Sequence, residues 1–435
     1  VTEQQALALC RQAVALVKQL DAKAEAQASL WGGHRAHTRF ARNEITTSGE
    51  IDDAALSLTV RLGLRLASAT SNQTDPASLK ALAERTLAIA RLAPEQPESM
   101  PLVGASKVEK VVLRDDAMSR LDAAARAKGI AEALAPSREA DLLTAGFLQV
   151  TDGFFALANS AGLGSSQSFT DSEFSVTART KDGTGSGWSS VCTRRRAELD
   201  FAQTGKVAAQ KAISTAKPRS LDPGRYTVVL EPAASTELFQ YFSMALDRRG
   251  VDENRSALTG KLGQQVMSPK LSLKSDPKTS SIMPFDDEGT PLAPRTWVKA
   301  GVLEQLGVSR FWGKKQNVPA TGRYDGFEVA PGEETRLELL AGIQRGVLIT
   351  RLWYTNLIDA RTLAITGLTR DGTFLIENGA IAGPIRNFRI NQSVLDALAK
   401  VDAVSSDRES PQASGWKVPA IRTHEFLLAS QSEAI

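Results

Sequence analysis

The chain is poor in the residues that hold transition metals. Its 435 residues include two cysteines, Cys10 and Cys192, and three histidines, His34, His37 and His424. Two cysteines cannot build a disulfide framework, and they point to a reducing, cytoplasmic setting. A zinc site of His and Cys alone would need most of these five residues from distant places, a strong handicap for a zinc enzyme. A dominant charge is also missing. Lys plus Arg is 52 and Asp plus Glu is 49, so the formal net charge is +3. That is too little to call for nucleic acid or an anionic membrane as partner. No run approaches the ~18 apolar residues of a membrane span. The N-terminus lacks the basic and then apolar pattern of a signal peptide; the chain begins at Val1, which leaves a trimmed leader open. What remains is ordinary globular composition, 42% hydrophobic and 23% charged. At about 150 residues per domain, the length allows two or three domains.

Residues 2–20 read as a helix. Thr2 and Gln5 form a capping box, and Ala6, Leu9, Cys10, Ala13, Val14 and Val17 make one apolar stripe. Cys10 on that stripe reads as core. Residues 25–70 read as strands, with turns marked at Gly32-Gly33 and Ser48-Gly49. Asp75-Pro76 opens a second helix as N-cap and first helical residue. Pro94 to Gly104 reads as a linker. Asp115 and Asp116 open a helix to about Leu134, closed by Pro136. Strands follow at 144–151, 154–159 and 168–180. Asp182 to Gly187 is glycine-rich and reads as a hairpin loop, because no Walker lysine follows. Arg194 to Arg196 read as a solvated strand end neutralised by Glu198 and Asp200. A helix then runs from about 202 to 216. Beyond Asp222-Pro223-Gly224 come a strand at 226–230 and a helix at 231–246. A polar, loop-rich stretch at 250–294 precedes short strands after Trp297. The expected fold is α+β: an N-terminal helix-and-sheet section, then a mainly antiparallel, barrel-like β domain. The expected divisions are 1–104, 105–220 and 221–435.

Few motifs carry chemistry. A dinucleotide-binding glycine pattern and a Gly-x-Ser-x-Gly elbow are absent. His34 and His37 lie three apart in a strand or turn, and in a strand that spacing puts their rings on opposite faces. His424-Glu425 has no second histidine in helical register and reads as a strand-end histidine. Asp286-Asp287-Glu288 is the densest carboxylate cluster. It suits either a hard cation or a solvated loop whose acids cap neighbouring amides.

Taken together, several segments resemble the TldD/PmbA (TldE) family, described as modulators of DNA gyrase and as peptidase U62. They are Thr38–Ile45, Ala158–Leu163, Arg225–Pro232, Arg255–Gly263, Pro284–Thr290, Gly301–Leu303, Gly346–Leu352 and Leu375–Gly379. Their order and spacing carry the resemblance over about 25–430. In the TldD branch, His-Glu-x-x-x-His follows the Val-Val-Leu strand, with a metal-binding cysteine near the C-terminus. Aligned through Tyr226–Pro232, that motif falls here on Gln240, Tyr241 and Ala245, and Val404 to Ala420 holds no cysteine. The resemblance is therefore to the metal-free PmbA/TldE branch.

That branch implies a non-catalytic subunit without a cofactor, its zinc carried by a TldD-like partner. The complex would degrade or trim unstructured peptides held by strand addition. Two other readings stay open: a stand-alone homodimeric peptide-binding or assembly protein, and an enzyme built around Asp286–Glu288. No nucleic acid or membrane partner is expected. The loop with Arg255, Ser256, Lys261, Asp286, Asp287 and Glu288 is expected to line a subunit interface or peptide chamber, with Arg255 pairing one of the acids. The bland alternative is a loop capped by its own carboxylates.

Overall fold

The computed structural model describes residues 1–432. Helix α1 (Glu3–Leu20) starts at the predicted capping box: Gln5 N donates to the Thr2 hydroxyl, and Thr2 N donates to the Gln5 side chain. Strands β1 (Glu25–Ala41), β2 (Glu44–Leu62) and β3 (Arg65–Ser71) follow, then α2 (Pro76–Leu92) with Asp75 as N-cap. The glycine pairs are not turns. Gly32 and Gly33 lie inside β1 and Gly49 inside β2. The chain reverses instead at Arg42-Asn43, both at positive φ (52° and 65°), as a two-residue hairpin requires. Gly49 is needed for close approach: a Cβ there would stand 2.8 Å from the His37 ring.

The proline-bearing linker is fastened along its length. Asn159 donates to the Val103 carbonyl, and Arg310 donates to that of Pro101. The helix expected from Asp115 is two helices, α3 (Asp116–Ser119) and α4 (Ala123–Glu139). Asp122 supplies a second N-cap to Ala125 N, so the helix restarts there. Pro136 lies inside α4, in its last turn, where its fixed φ is still helical. Strands β4 (Leu143–Asn159), β5 (Gly164–Arg179) and β6 (Ser186–Thr193) precede α5 (Phe201–Ser214). All six strands join in the order β3-β2-β1-β4-β5-β6. Residues 1–104 and 105–220 thus give three strands each to one antiparallel sheet.

Side-chain alternation assigns the two faces of that sheet. Ala28, Leu30, Leu58, Ala156 and Val60 pack under α1 and α2, while Phe40, Leu148, Val150 and Phe174 pack under α4 and α5. These residues share one face. The opposite face carries Trp31, Phe155 and Phe169 and meets the rest of the chain.

The remaining elements are β7 (Gly224–Leu230), α6 (Pro232–Ala245), α7 (Arg248–Asp252), β8 (Leu273–Ser275), β9 (Arg295–Lys299), β10 (Val302–Leu303), α8 (Arg310–Gln316) and β11 (Glu328–Val329). After them come β12 (Arg345–Ile349), β13 (Leu352–Asp359), β14 (Ala364–Thr369), β15 (Thr373–Glu377), β16 (Ala380–Pro384), β17 (Phe388–Ser393), α9 (Val394–Ala399), β18 (Val401–Glu409) and β19 (Val418–Gln431). Nine strands form a sheet ordered β13-β14-β17-β19-β7-β12-β15-β16, with β18 on β19, and four short strands form a second. Among the described residues, the named strands pair antiparallel except β7 with β12, which run parallel. The α+β class holds. The nine-stranded sheet does not close on itself, so barrel-like describes it only loosely. No described helix is long and apolar enough to cross a membrane.

Candidate functional site

Helix α6 follows directly from the β-branched strand β7, as the sequence pattern predicts. Pro232 occupies its first turn, and Leu238, Phe239, Phe242 and Ala245 are buried in the core of the nine-stranded sheet. Gln240 and Tyr241 are half-buried and Ala245 is 7% exposed. The Tyr241 hydroxyl donates to Thr355 Oγ1 at 3.3 Å, and Thr355 donates to Glu237 Oε2 at 2.6 Å. Gln412 Nε2 donates to Glu237 Oε1 at 2.8 Å. Glu237, Thr355 and Gln412 escaped the sequence reading. The i, i+4 spacing of Glu237 and Tyr241, with Glu237 the one charged residue of the helix, was the available signal.

This helix does not fit zinc. Gln240, Tyr241 and Ala245 offer no imidazole or carboxylate. The neighbouring carboxylate, Glu237, already accepts from Thr355 and Gln412. Among the described residues, no group of three His, Cys, Asp or Glu is placed to hold a metal ion.

The histidines stand apart. His34 Nδ1 lies 3.0 Å from Asp52, while His37 stacks on Phe147 on the other face of β1. His424 is not at a strand end. It sits within β19 beside a register shift where Glu425 takes φ 54°, with Nε2 2.9 Å from Asp402 and Nδ1 3.0 Å from Thr227. Arg194 is not solvated either. It lies over the Phe169 ring and donates to the carbonyls of Ser281 and Thr170, and burial lowers its pKa. Its charge is met by those carbonyls and by the Asp171 carboxylate at 3.9 Å, which the flanking sequence could not reveal.

The acidic turn caps itself. Asp286 Oδ1 accepts from the amides of Glu288 at 3.1 Å and Thr290 at 2.8 Å, and Oδ2 accepts from Arg323 N at 3.1 Å. Burial raises the Asp286 pKa, against those hydrogen bonds. Glu288 pairs with Arg310 at 2.9 Å, and Asp287 faces Arg323 at 3.7 Å. The expected pairing of Arg255 with these acids is corrected: Arg255 pairs with Glu253, two residues away, which competes locally for its guanidinium. Ser256 donates to the Ala245 carbonyl at the end of α6, and Lys261 bonds through its backbone to Leu258 and Gln264. Nor is the segment uniformly polar. Ala257, Leu258, Met267, Leu271, Met283 and Phe285 anchor it in the interior.

The turn is seated on the face of the six-stranded sheet that α1, α2, α4 and α5 leave uncovered. Phe285 stacks on Phe155 at 5.3 Å, and Phe155 stacks on Trp31 at 4.3 Å. Gln27 Nε2 donates to the Asp287 carbonyl. Gly289 (φ 85°) leaves no room for a Cβ, which would stand 2.2 Å from Leu163. Beside the turn, a pocket of about 420 Å³ opens between the C-terminal end of α6 and the start of α8. Asp286, Asp287 and Glu288 line it; Arg255, Ser256 and Lys261 do not.

Comparison with known proteins gives matches along three consecutive parts of the chain. The sequence matches the PmbA/TldA metallopeptidase domain 1 over residues 32–90, the central domain over 107–216 and the C-terminal domain over 223–430. It is 27% identical over 214 residues to the metalloprotease PmbA homolog of Haemophilus influenzae, covering 47% of this chain and 46% of that one. It is 25% identical over 235 residues to the metalloprotease PmbA of Escherichia coli O157:H7, covering 52% and 51%. The matches span about half the length of these relatives. The fold is that of TldE from Thermococcus kodakarensis, with a TM-score of 0.85 at 18% identity over 97% of this chain and 100% of that one. A Thermotoga maritima structure described as a modulator of a DNA gyrase gives 0.84 at 22%, over 97% and 99%. By sequence along three consecutive parts and by architecture along nearly all of its length, this chain belongs to the PmbA/TldD family.

Proposed function

We propose that the chain is a non-catalytic, PmbA/TldE-like subunit of a cytoplasmic metallopeptidase complex that degrades or trims unstructured peptides. A TldD-like partner supplies the zinc; this chain supplies structure and part of the peptide path, and holds no metal of its own. What supports the reading is that the family fold is kept while α6 carries Gln240, Tyr241 and Ala245, the residues on which the resemblance through Tyr226–Pro232 sets the metal motif of the zinc-bearing branch. Three residues without imidazole or carboxylate cannot polarise a peptide carbonyl through zinc or activate water there.

The test is co-expression with a zinc-bearing relative, capture of one chain through the other, and a peptide-degradation assay. The chain alone leaves unfolded peptides intact, and the captured complex cleaves them in a chelator-sensitive way. Chelator-sensitive cleavage by the isolated chain, with contaminants excluded, overturns the reading. A homodimer that binds peptide but neither captures nor assists a zinc-bearing relative favours the stand-alone reading instead.

A further inference from the structure

We infer that the pocket at the C-terminal end of α6 is a subsite for a basic side chain, lysine or arginine, of an extended peptide; the inference rests on the peptide-handling reading above. The lining of the pocket is partly apolar and partly acidic. The buried side chains of Trp297, Phe327 and Leu246 line it, together with Tyr324. The polar atoms of two rings are already engaged: Trp297 Nε1 donates to Ser275 and the Tyr324 hydroxyl to the Ala293 carbonyl. The rings therefore offer the pocket apolar surface and π density.

Four carboxylates line the pocket, Asp247, Asp286, Asp287 and Glu288, against two guanidiniums, Arg310 and Arg323. The local balance is negative in a chain whose net charge is +3. Asp286 is fixed in place by three backbone amides, so its position is set before any ligand arrives. Arg310 is tied to Glu288 and to the Pro101 carbonyl. Arg323 is 82% exposed and 3.7 Å from Asp287, a loose pair that a competing cation displaces at little cost.

An aliphatic stem against aromatic lining with a cationic head among carboxylates is the arrangement that lysine and arginine satisfy. The volume of about 420 Å³ accommodates such a side chain. A bare metal ion suits the site less, because both Asp286 oxygens already accept from amides. The mouth lies beside Met244, which is 62% exposed on α6 one turn from Gln240 and Tyr241. A peptide passing that helix would reach the pocket.

The test uses two disordered peptides identical except that the arginines of one are citrulline, which keeps the shape and removes the charge. Binding to the full chain, and to its complex with a zinc-bearing relative, is read by fluorescence anisotropy at low and high salt. The arginine peptide is expected to bind about tenfold more tightly, a preference of the size of one charge-assisted hydrogen bond that narrows with salt. Asp287→Lys and Met244→Arg, both at exposed side chains, should erase the preference without altering the melting curve. Equal binding of the two peptides overturns the subsite and leaves peptide handling intact. A preference that survives in both variants overturns it too, because the charge is then read elsewhere. Failure of both peptides to bind, alone and in complex, overturns the subsite together with the function it rests on.

Discussion

Cys10 sits on the buried stripe of α1 with its Sγ toward the Ala156 carbonyl at 3.7 Å, and Cys192 is 4% exposed on β6. Burial pushes the Cys10 thiol up to about 12, and burial together with the charges of Glu173 and Asp171 pushes Cys192 up as well. The thiolate is the reactive form, so both cysteines are inert at neutral pH while the chain is folded. A thiol-reactive chromophore should therefore label no cysteine in the native protein and both after denaturation. Rapid labelling of either one without unfolding would contradict the packing described. Cys10 was legible as core because the helical period of α1 places it among Ala6, Ala13 and Val17. Arg194 was not legible: its neighbours Arg195, Arg196, Glu198 and Asp200 suggest a solvated run, while its ring and carbonyl partners come from 24 or more positions away.

At the scale of elements, α4 and α5 cross closely enough that a Cβ on Gly205 would lie 2.0 Å from the Ala133 carbonyl oxygen. Backbone cannot yield as a flexible side chain does. Gly205→Ala should destabilise the chain by about 1–3 kcal/mol through overpacking, despite alanine's better helix propensity. Urea denaturation measures it, and an unchanged or raised midpoint would show that the helices separate freely. Elements with local causes were the legible ones: the capping box at Thr2, the Asp75-Pro76 start, and the strand-then-helix run into α6. Those set by distant contacts were misplaced. Gly32 and Gly33 resemble a turn in sequence, but they sit inside β1 because Phe154 and the backbone at 152–153 press against them from β4. The carboxylates of the acidic turn were visible as a cluster. Their real partners, Arg310 and Arg323, lie too far along the chain for spacing to reveal.

The whole molecule separates its possible metal ligands more thoroughly than composition alone implied. His34 and His37 point to opposite faces of β1, so no movement short of unpairing that strand from β2 and β4 brings their rings together. His424 belongs to the nine-stranded sheet, where Asp402 and Thr227 engage both ring nitrogens. Cys10 and Cys192 are buried in the other sheet's layers, and α6 offers Gln240, Tyr241 and Ala245. Gathering four of these histidines and cysteines into one tetrahedral array would require taking apart two sheets. The purified chain, prepared without an affinity tag, should therefore contain no stoichiometric zinc by elemental analysis, and adding chelator should leave its melting temperature unchanged. About one zinc per chain, lost on replacing any of His34, His37 or His424, would overturn that expectation. It would also show that this chain carries a metal site of its own, whose structural or catalytic nature the coordination would then decide.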